Sequence, residues 1–191
     1  ETTSLTNSAI LSKSYISVSD EKGGDINVTA KTLSLSNSRL NTDTSGKANA
    51  GNIAINADDA VNLTNSAQLR TDTYGIGNAG KITIDAKGAV TFDGLSRDQN
   101  GKPIENGSPS FVDTGTGVAS QVGSLNSDPQ KDIPGFGQGG DIEIKAHSLN
   151  LKNGAALSST TYGGESFNPD GTIIYKNAGN ITITVDDAVN L

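Results

Sequence analysis

The chain has no cysteine, no tryptophan and no methionine, a single histidine, and only eight aromatic residues, four Phe and four Tyr. Without cysteine there is no disulfide framework, and with one histidine besides there is no soft-metal site. Hydrophobic residues at 33% and aromatics at 4% are too sparse for a thick globular core, yet enough for a thin one to which each repeat adds a few side chains. Basic residues are also scarce: 14 Lys and Arg against 21 Asp and Glu give a net charge of -7, which argues against nucleic acid as a partner. No apolar run approaches the length of a membrane span, no signal-peptide pattern heads the sequence, and no stretch has helical periodicity.

What is present is a repeat. Gly24-Asp25-Ile26-Asn27-Val28-Thr29-Ala30 returns as Gly51-Asn52-Ile53-Ala54-Ile55-Asn56-Ala57, as Gly80-Lys81-Ile82-Thr83-Ile84-Asp85-Ala86, as Gly140-Asp141-Ile142-Glu143-Ile144-Lys145-Ala146 and as Gly179-Asn180-Ile181-Thr182-Ile183-Thr184-Val185. Each copy is a glycine followed by an alternating strand with β-branched residues on one face. A unit of this kind buries its apolar face only by stacking on the next copy. The glycines step by 27 (24 to 51), 29 (51 to 80), 60 (80 to 140) and 39 (140 to 179), one coil length twice interrupted.

Two more strands follow each glycine-led one. The second alternates apolar, polar, apolar, as in Leu33-Ser34-Leu35, Val61-Asn62-Leu63, Val90-Thr91-Phe92 and Leu149-Asn150-Leu151. The third carries hydroxyls: Ile10 to Ser14, Leu40 to Thr44, Leu69 to Thr73, Val118 to Val122 and Leu157 to Thr161. Three short strands per coil of about 27–29 residues predict an all-β fold, a parallel β-helix, over residues 1–191 as one segment. The first and last residues both fall inside repeats, so the expectation is a piece of a longer chain.

The parity of the third strand turns its hydroxyls inward with the leucines. Thr42, Thr71, Ser120 and Ser159 are expected to form an internal ladder in which neighbouring rungs, about 4.8 Å apart, supply the hydrogen-bond partners. Asn7, Asn37, Asn65 and Asn153 recur two residues past the second strand, with Gly94 taking the place once. Asparagine tolerates left-handed backbone and bonds its own copies above and below, so this file is assigned to the corner between the second and third strands.

The lengthened steps locate insertions at about 95–115, 123–138 and 163–176. The latter two leave the same corner of adjacent coils at equal length and are expected side by side. Half of the aromatics sit in these loops: Phe111, Phe136, Phe167 and Tyr175. Aromatic side chains on loops suit stacking on sugar rings or packing into a partner.

At Gly77-Asn78-Ala79-Gly80-Lys81-Ile82-Thr83-Ile84, preceded by Thr73-Tyr74-Gly75, and at Asn177-Ala178-Gly179-Asn180-Ile181-Thr182-Ile183, the chain resembles the repeat shafts of filamentous-haemagglutinin-like exoproteins of the two-partner secretion class, cyanobacterial-type members included. The resemblance covers nearly all of the chain outside the loops. It implies a right-handed parallel β-helix, or solenoid, in a protein exported through an outer-membrane transporter of its own and displayed or released at the surface of a Gram-negative-type cell. The amino-terminal secretion domain with its Asn-Pro-Asn motifs is missing here, so the transporter is a partner of the parent protein and not of this segment.

Catalysis by a β-helix of the polysaccharide-active kind needs clustered carboxylates on one exposed face. The outward files of the glycine-led strand, Asn27, Ala54, Thr83, Glu143 and Thr182 among them, present no two carboxylates on adjacent rungs, and the expectation is no enzyme and no cofactor. Asp43 and Asp72 do fall on adjacent rungs of the third strand, but Lys13 precedes them in the file and Arg70 is a strand neighbour. They read as a solvated, partly compensated surface pair and not as a metal site. Asp58-Asp59, Asp186-Asp187 and His147 read as corner residues. Thr-x-Thr, at 42–44 and 71–73, suggests ice binding only if the threonines face outward, which the parity denies. The expected function is structural: a repeat segment of a secreted or cell-surface adhesin-like exoprotein that extends a fibre, presents loops and associates end to end. The alternatives are a carbohydrate-binding module using the loop aromatics and, ranked below it, a polysaccharide-active β-helix enzyme; the expected partner is a host or neighbouring-cell surface glycan or protein.

Overall fold

A computed structural model describes residues 1–17, 22–94, 116–122, 136–161, 166–167, 173–174 and 176–191, without the side chains of 14–17, 122, 166–167 and 173–174. Among these residues there is no helix. The strands come round in threes: β1 (Thr2–Thr6), β2 (Ala9–Ser17) and β3 (Ile26–Ala30), then β4 (Thr32–Ser36), β5 (Arg39–Gly46) and β6 (Ile53–Ala57), then β7 (Val61–Thr64), β8 (Gln68–Gly75) and β9 (Ile82–Ala86). They continue as β10 (Ala89–Asp93), β11 (Gly117–Val122), β12 (Ile142–Ala146), β13 (Ser148–Lys152) and β14 (Ala156–Thr161). A two-residue antiparallel pair, β15 (Ser166–Phe167) with β16 (Ile173–Ile174), precedes β17 (Ile181–Val185) and β18 (Val189–Asn190).

Every third strand joins the same sheet. The apolar sheet runs β1-β4-β7-β10-β13-β18, the hydroxyl sheet β2-β5-β8-β11-β14 and the glycine-led sheet β3-β6-β9-β12-β17, all with parallel neighbours. Three parallel sheets of stacked strands are consistent with a parallel β-helix.

The period-2 alternation read from the sequence is what puts one face inside. In the glycine-led sheet Ile53, Ile55, Ile82, Ile84, Ile142 and Ile144 are buried, while the residues between them are half-buried or exposed. Leu33, Leu35, Val61, Leu63, Val90, Phe92 and Leu149 supply the apolar sheet's share, and Leu40, Leu69 and Val118 that of the hydroxyl sheet. These form one continuous cluster, and each large member contributes about 1.5–3 kcal/mol by leaving water. The register holds across the lengthened steps: Ile82 pairs Ile142, Val90 pairs Leu149 and Thr71 pairs Ser120, as if the inserted residues were not there. At the last rung the same inward positions lie open, with Ile181 at 42% and Ile183 at 39% exposure.

Corners are built from backbone that tolerates left-handed or very close geometry. Asn7, Asn37, Asn65 and Asn153 have φ of 51°, 45°, 52° and 53°. Asparagine occupies that region at lower cost than other non-glycine residues because its short amide bonds locally.

Candidate functional site

The hydroxyl sheet holds most of the buried polar residues of the described chain, on both of its faces. On the inner face Thr42, Thr44, Thr71, Thr73 and Ser120 are buried, and Ser159 is half-buried. The acceptors of Thr42, Thr44, Thr71, Ser120 and Ser159 are backbone carbonyls instead of the next hydroxyl, while Thr73 Oγ1 is buried without a hydrogen bond. Thr42 Oγ1 donates to the Gly51 carbonyl at 2.6 Å and Thr71 Oγ1 to the Gly80 carbonyl at 2.7 Å. Ser120 Oγ donates to the same Gly80 carbonyl at 2.9 Å and accepts from the Gly140 N–H at 3.0 Å, while Ser159 Oγ donates to the Gly140 carbonyl at 3.0 Å. A hydroxyl is donor and acceptor at once, so Ser120 bridges two rungs. The expected hydroxyl-to-hydroxyl ladder is therefore corrected: the hydroxyls cap the glycine column across the interior. A carbonyl turned inward at the glycine corner lies off the sheet ladder and takes the nearest donor.

The glycine column explains why the repeat begins with glycine. A Cβ at Gly51 would stand 2.0 Å from the Gly24 carbonyl oxygen, one at Gly80 1.9 Å from that of Gly51, and one at Gly140 1.9 Å from that of Gly80. Backbones stack there with no room for a side chain.

The asparagine file is only partly a self-bonding ladder. Asn37 Nδ2 donates to Asn7 Oδ1 at 2.8 Å, but Asn65 Nδ2 donates to Ser36 Oγ at 2.9 Å and Asn153 Nδ2 to Asp93 Oδ1 at 2.8 Å. A second Asx file, seen in the sequence only as flanking surface, clasps rung to rung through the backbone. Asp25 Oδ1 accepts the Asn52 N–H at 2.6 Å, Asn52 Oδ1 the Lys81 N–H at 2.9 Å, and Asp141 Oδ1 the Asn180 N–H at 2.7 Å. Asn49 Oδ1 takes the Asn78 N–H at 2.7 Å, and Asn78 Oδ1 takes that of Gln138 at 2.8 Å. The recurrence of Asp or Asn directly after the repeat glycine was the signal for the first of these files.

The outer face of the hydroxyl sheet overturns one expectation. Asp72 is fully buried, and Asn41, Arg70, Gln121 and Asp43 are all under a tenth exposed. Asp43 and Asp72, register partners on β5 and β8, thus form no solvated surface pair. The Arg70 guanidinium reaches Asp72 Oδ2 through Nη2 at 2.6 Å and Nε at 2.7 Å, and the Tyr74 hydroxyl donates to the same oxygen at 3.3 Å. Asn41 Nδ2 donates to Asp43 Oδ2 at 2.7 Å, with Lys13 Nζ 3.5 Å from that oxygen. Each carboxylate commits one oxygen to its donors; Asp43 Oδ1 and Asp72 Oδ1 are buried and accept no hydrogen bond. Burial pushes the Asp72 carboxyl up to about 6 against the opposing Arg70 charge, with the Asp43 charge adding to the rise. Asp43 is raised as well, by burial, despite Lys13. The Tyr74 phenol is also raised, chiefly by burial and then by Asp72. The exposed face of the glycine-led sheet behaves in the ordinary way. Lys81 Nζ bonds Glu143 Oε2 at 2.6 Å and Lys145 Nζ lies 3.3 Å from Oε1, and both hold the Glu143 carboxyl below its usual range.

Of the loop aromatics, Phe136 is half-buried, its N–H bonded to the Gly75 carbonyl at 2.9 Å. Phe167 lies in β15, with its side chain outside the described residues, as are Phe111 and Tyr175 entirely. The expected side-by-side placement of the two longer insertions falls mostly on residues outside that set. His147 is an exposed corner residue. Among the described residues no three His, Cys, Asp or Glu side chains gather as metal ligands. No family model, curated protein or solved structure matches the chain.

Proposed function

We propose that this chain is a shaft segment of a secreted or cell-surface adhesin-like exoprotein, a right-handed β-helical solenoid that extends a fibre and presents loops. The observation that carries the reading is the unbroken register. Strand pairing passes over a step of 60 residues between Gly80 and Gly140 and one of 39 between Gly140 and Gly179 with the same residues meeting in the same files. A scaffold whose strand register continues unchanged across inserted chain separates length, set by repeat number, from surface chemistry, set by the insertions. The resemblance of the repeat to filamentous-haemagglutinin-like shafts supports the same reading.

The test is a glycan-array and cell-surface binding screen of this chain beside a version with residues 123–138 and 163–176 shortened to the plain repeat length. The shaft reading expects equal melting temperatures and no binding by either. Glycan binding by the parent that is lost on trimming, and lost again in a folded Phe136→Ala or Phe167→Ala variant, would replace it with a carbohydrate-binding module.

A further inference from the structure

We propose that Asp43 and Asp72 hold a single proton between their Oδ1 atoms, making the outer face of the hydroxyl sheet an acid-stabilised latch between two rungs. The inference is independent of the shaft reading.

It begins from two orphaned atoms. Asp43 and Asp72 are aligned register partners with side chains on the same face, on strands spaced about 4.8 Å apart. Each Oδ2 already has its donors, Asn41 and Lys13 for Asp43, Arg70 and Tyr74 for Asp72. Each Oδ1 is buried and accepts nothing. A buried acceptor without a donor is costly, and two ionised carboxylates side by side away from water repel. One proton removes both defects: the protonated oxygen becomes a donor, its neighbour accepts, and one negative charge disappears. The Asn41 Oδ1 atom, also buried without a donor, belongs to the same face.

The surrounding charges favour a proton over a metal ion. The groups facing the pair among the described residues are Lys13 from β2, Asn41 from β5, Arg70 and Tyr74 from β8 and the uncharged Gln121 from β11. Two fixed cations face the two carboxylates, so a divalent ion would leave an excess of two positive charges where a proton leaves one. It would also find three unpartnered side-chain oxygens, those of Asn41, Asp43 and Asp72, where calcium takes about six to eight ligands.

The sign of the pH effect follows. A carboxyl raised in the folded chain keeps its proton where the unfolded chain has lost it. The latch then contributes fully below the ordinary Asp range and fades as pH rises through about 6.

The decisive experiment is a carbon-13 titration of the aspartate carboxyls in the whole 191-residue chain, from acid to neutral pH, with urea unfolding followed in parallel. The expected result is one carboxyl of the pair titrating above about pH 5, together with an unfolding midpoint that falls between acid and neutral pH. In Asp43→Asn, an amide donor faces Asp72, and proton affinity at Asp72 should drop by about tenfold, one pH unit. Titration of both carboxyls in the ordinary range would overturn the proposal without any variant. A titration displaced by millimolar calcium would overturn it too, because the oxygens would then be metal ligands.

Discussion

Replacing Gly80 by alanine is expected to be far more damaging than the loss of a flexible residue would suggest. Gly80 is not among the glycines with positive φ, so the strain comes from crowding. The new methyl carbon would sit 1.9 Å from the Gly51 carbonyl oxygen and 2.7 Å from its carbon, both backbone atoms that no rotamer can move. Relief requires the two rungs to part by more than an ångström. That breaks the Ile53 N–H to Lys81 carbonyl bond, 3.0 Å long, and disturbs both hydroxyls on the Gly80 carbonyl, Thr71 at 2.7 Å and Ser120 at 2.9 Å. Three hydrogen bonds at about 1 kcal/mol each, with some donors and acceptors left buried and unmet at 1–3 kcal/mol, give a loss of about 3–6 kcal/mol. Against a typical stability of about 5–15 kcal/mol this leaves a chain that is marginal or unfolded at 25 °C. Urea unfolding followed by far-ultraviolet circular dichroism measures it. Gly154→Ala is the contrast: its Cβ meets nothing within 4 Å, and only the positive φ of 75° opposes it, at about 1–2 kcal/mol. A Gly80→Ala loss no larger than that of Gly154→Ala would refute the crowding argument.

Three further outcomes follow from the same geometry. Asn37→Ala should cost about 1–2 kcal/mol in urea unfolding, because it places alanine at φ 45° and removes the bond to Asn7, whereas Asn37→Gly loses the same bond without the backbone strain and should cost less. Arg70→Met leaves the buried Asp72 carboxylate without its cation; about 3–5 kcal/mol should be lost at neutral pH and less in acid, where Asp72 is protonated, so equal losses at both pH values would count against the pairing. Ile181, Ile183, Val189 and Leu191, at 42%, 39%, 45% and 93% exposure, offer a second copy of the chain the same apolar files that stack inside it, so concentration-dependent end-to-end association is expected in sedimentation velocity, and a strictly monomeric profile at high concentration would exclude it.

Much of the architecture is legible in one dimension because the side-chain period of a strand is 2 and the repeat supplies the same alternation again and again. Leu63, Ile84 and Ile144 are inward by the same parity that makes them apolar in sequence, and the left-handed corner at Asn37 follows from residue type and position. The acceptors of the inward hydroxyls were not legible. Thr71 is equidistant in sequence reasoning from its neighbours in the file and from Gly80; only the turn of the backbone places the glycine carbonyl across the interior within 2.7 Å. The Asp25, Asn52 and Asp141 clasps were visible as a recurrent position but not as hydrogen bonds, because a side chain beside a strand can turn to solvent or to the next rung.

The sequence by itself determined the repeat, the three strands in each unit, the inward face of each strand and the absence of disulfides. These are local or periodic properties, and stacking copies the local pattern from rung to rung. The tertiary structure alone decided what lies on the far side of the hydroxyl sheet. Parity assigns Asp43, Arg70 and Asp72 to the outward face, and an outward residue is normally wet. Their burial depends on what neighbouring strands and side chains exclude from that face, a sum over the whole fold that alternation along one strand does not contain.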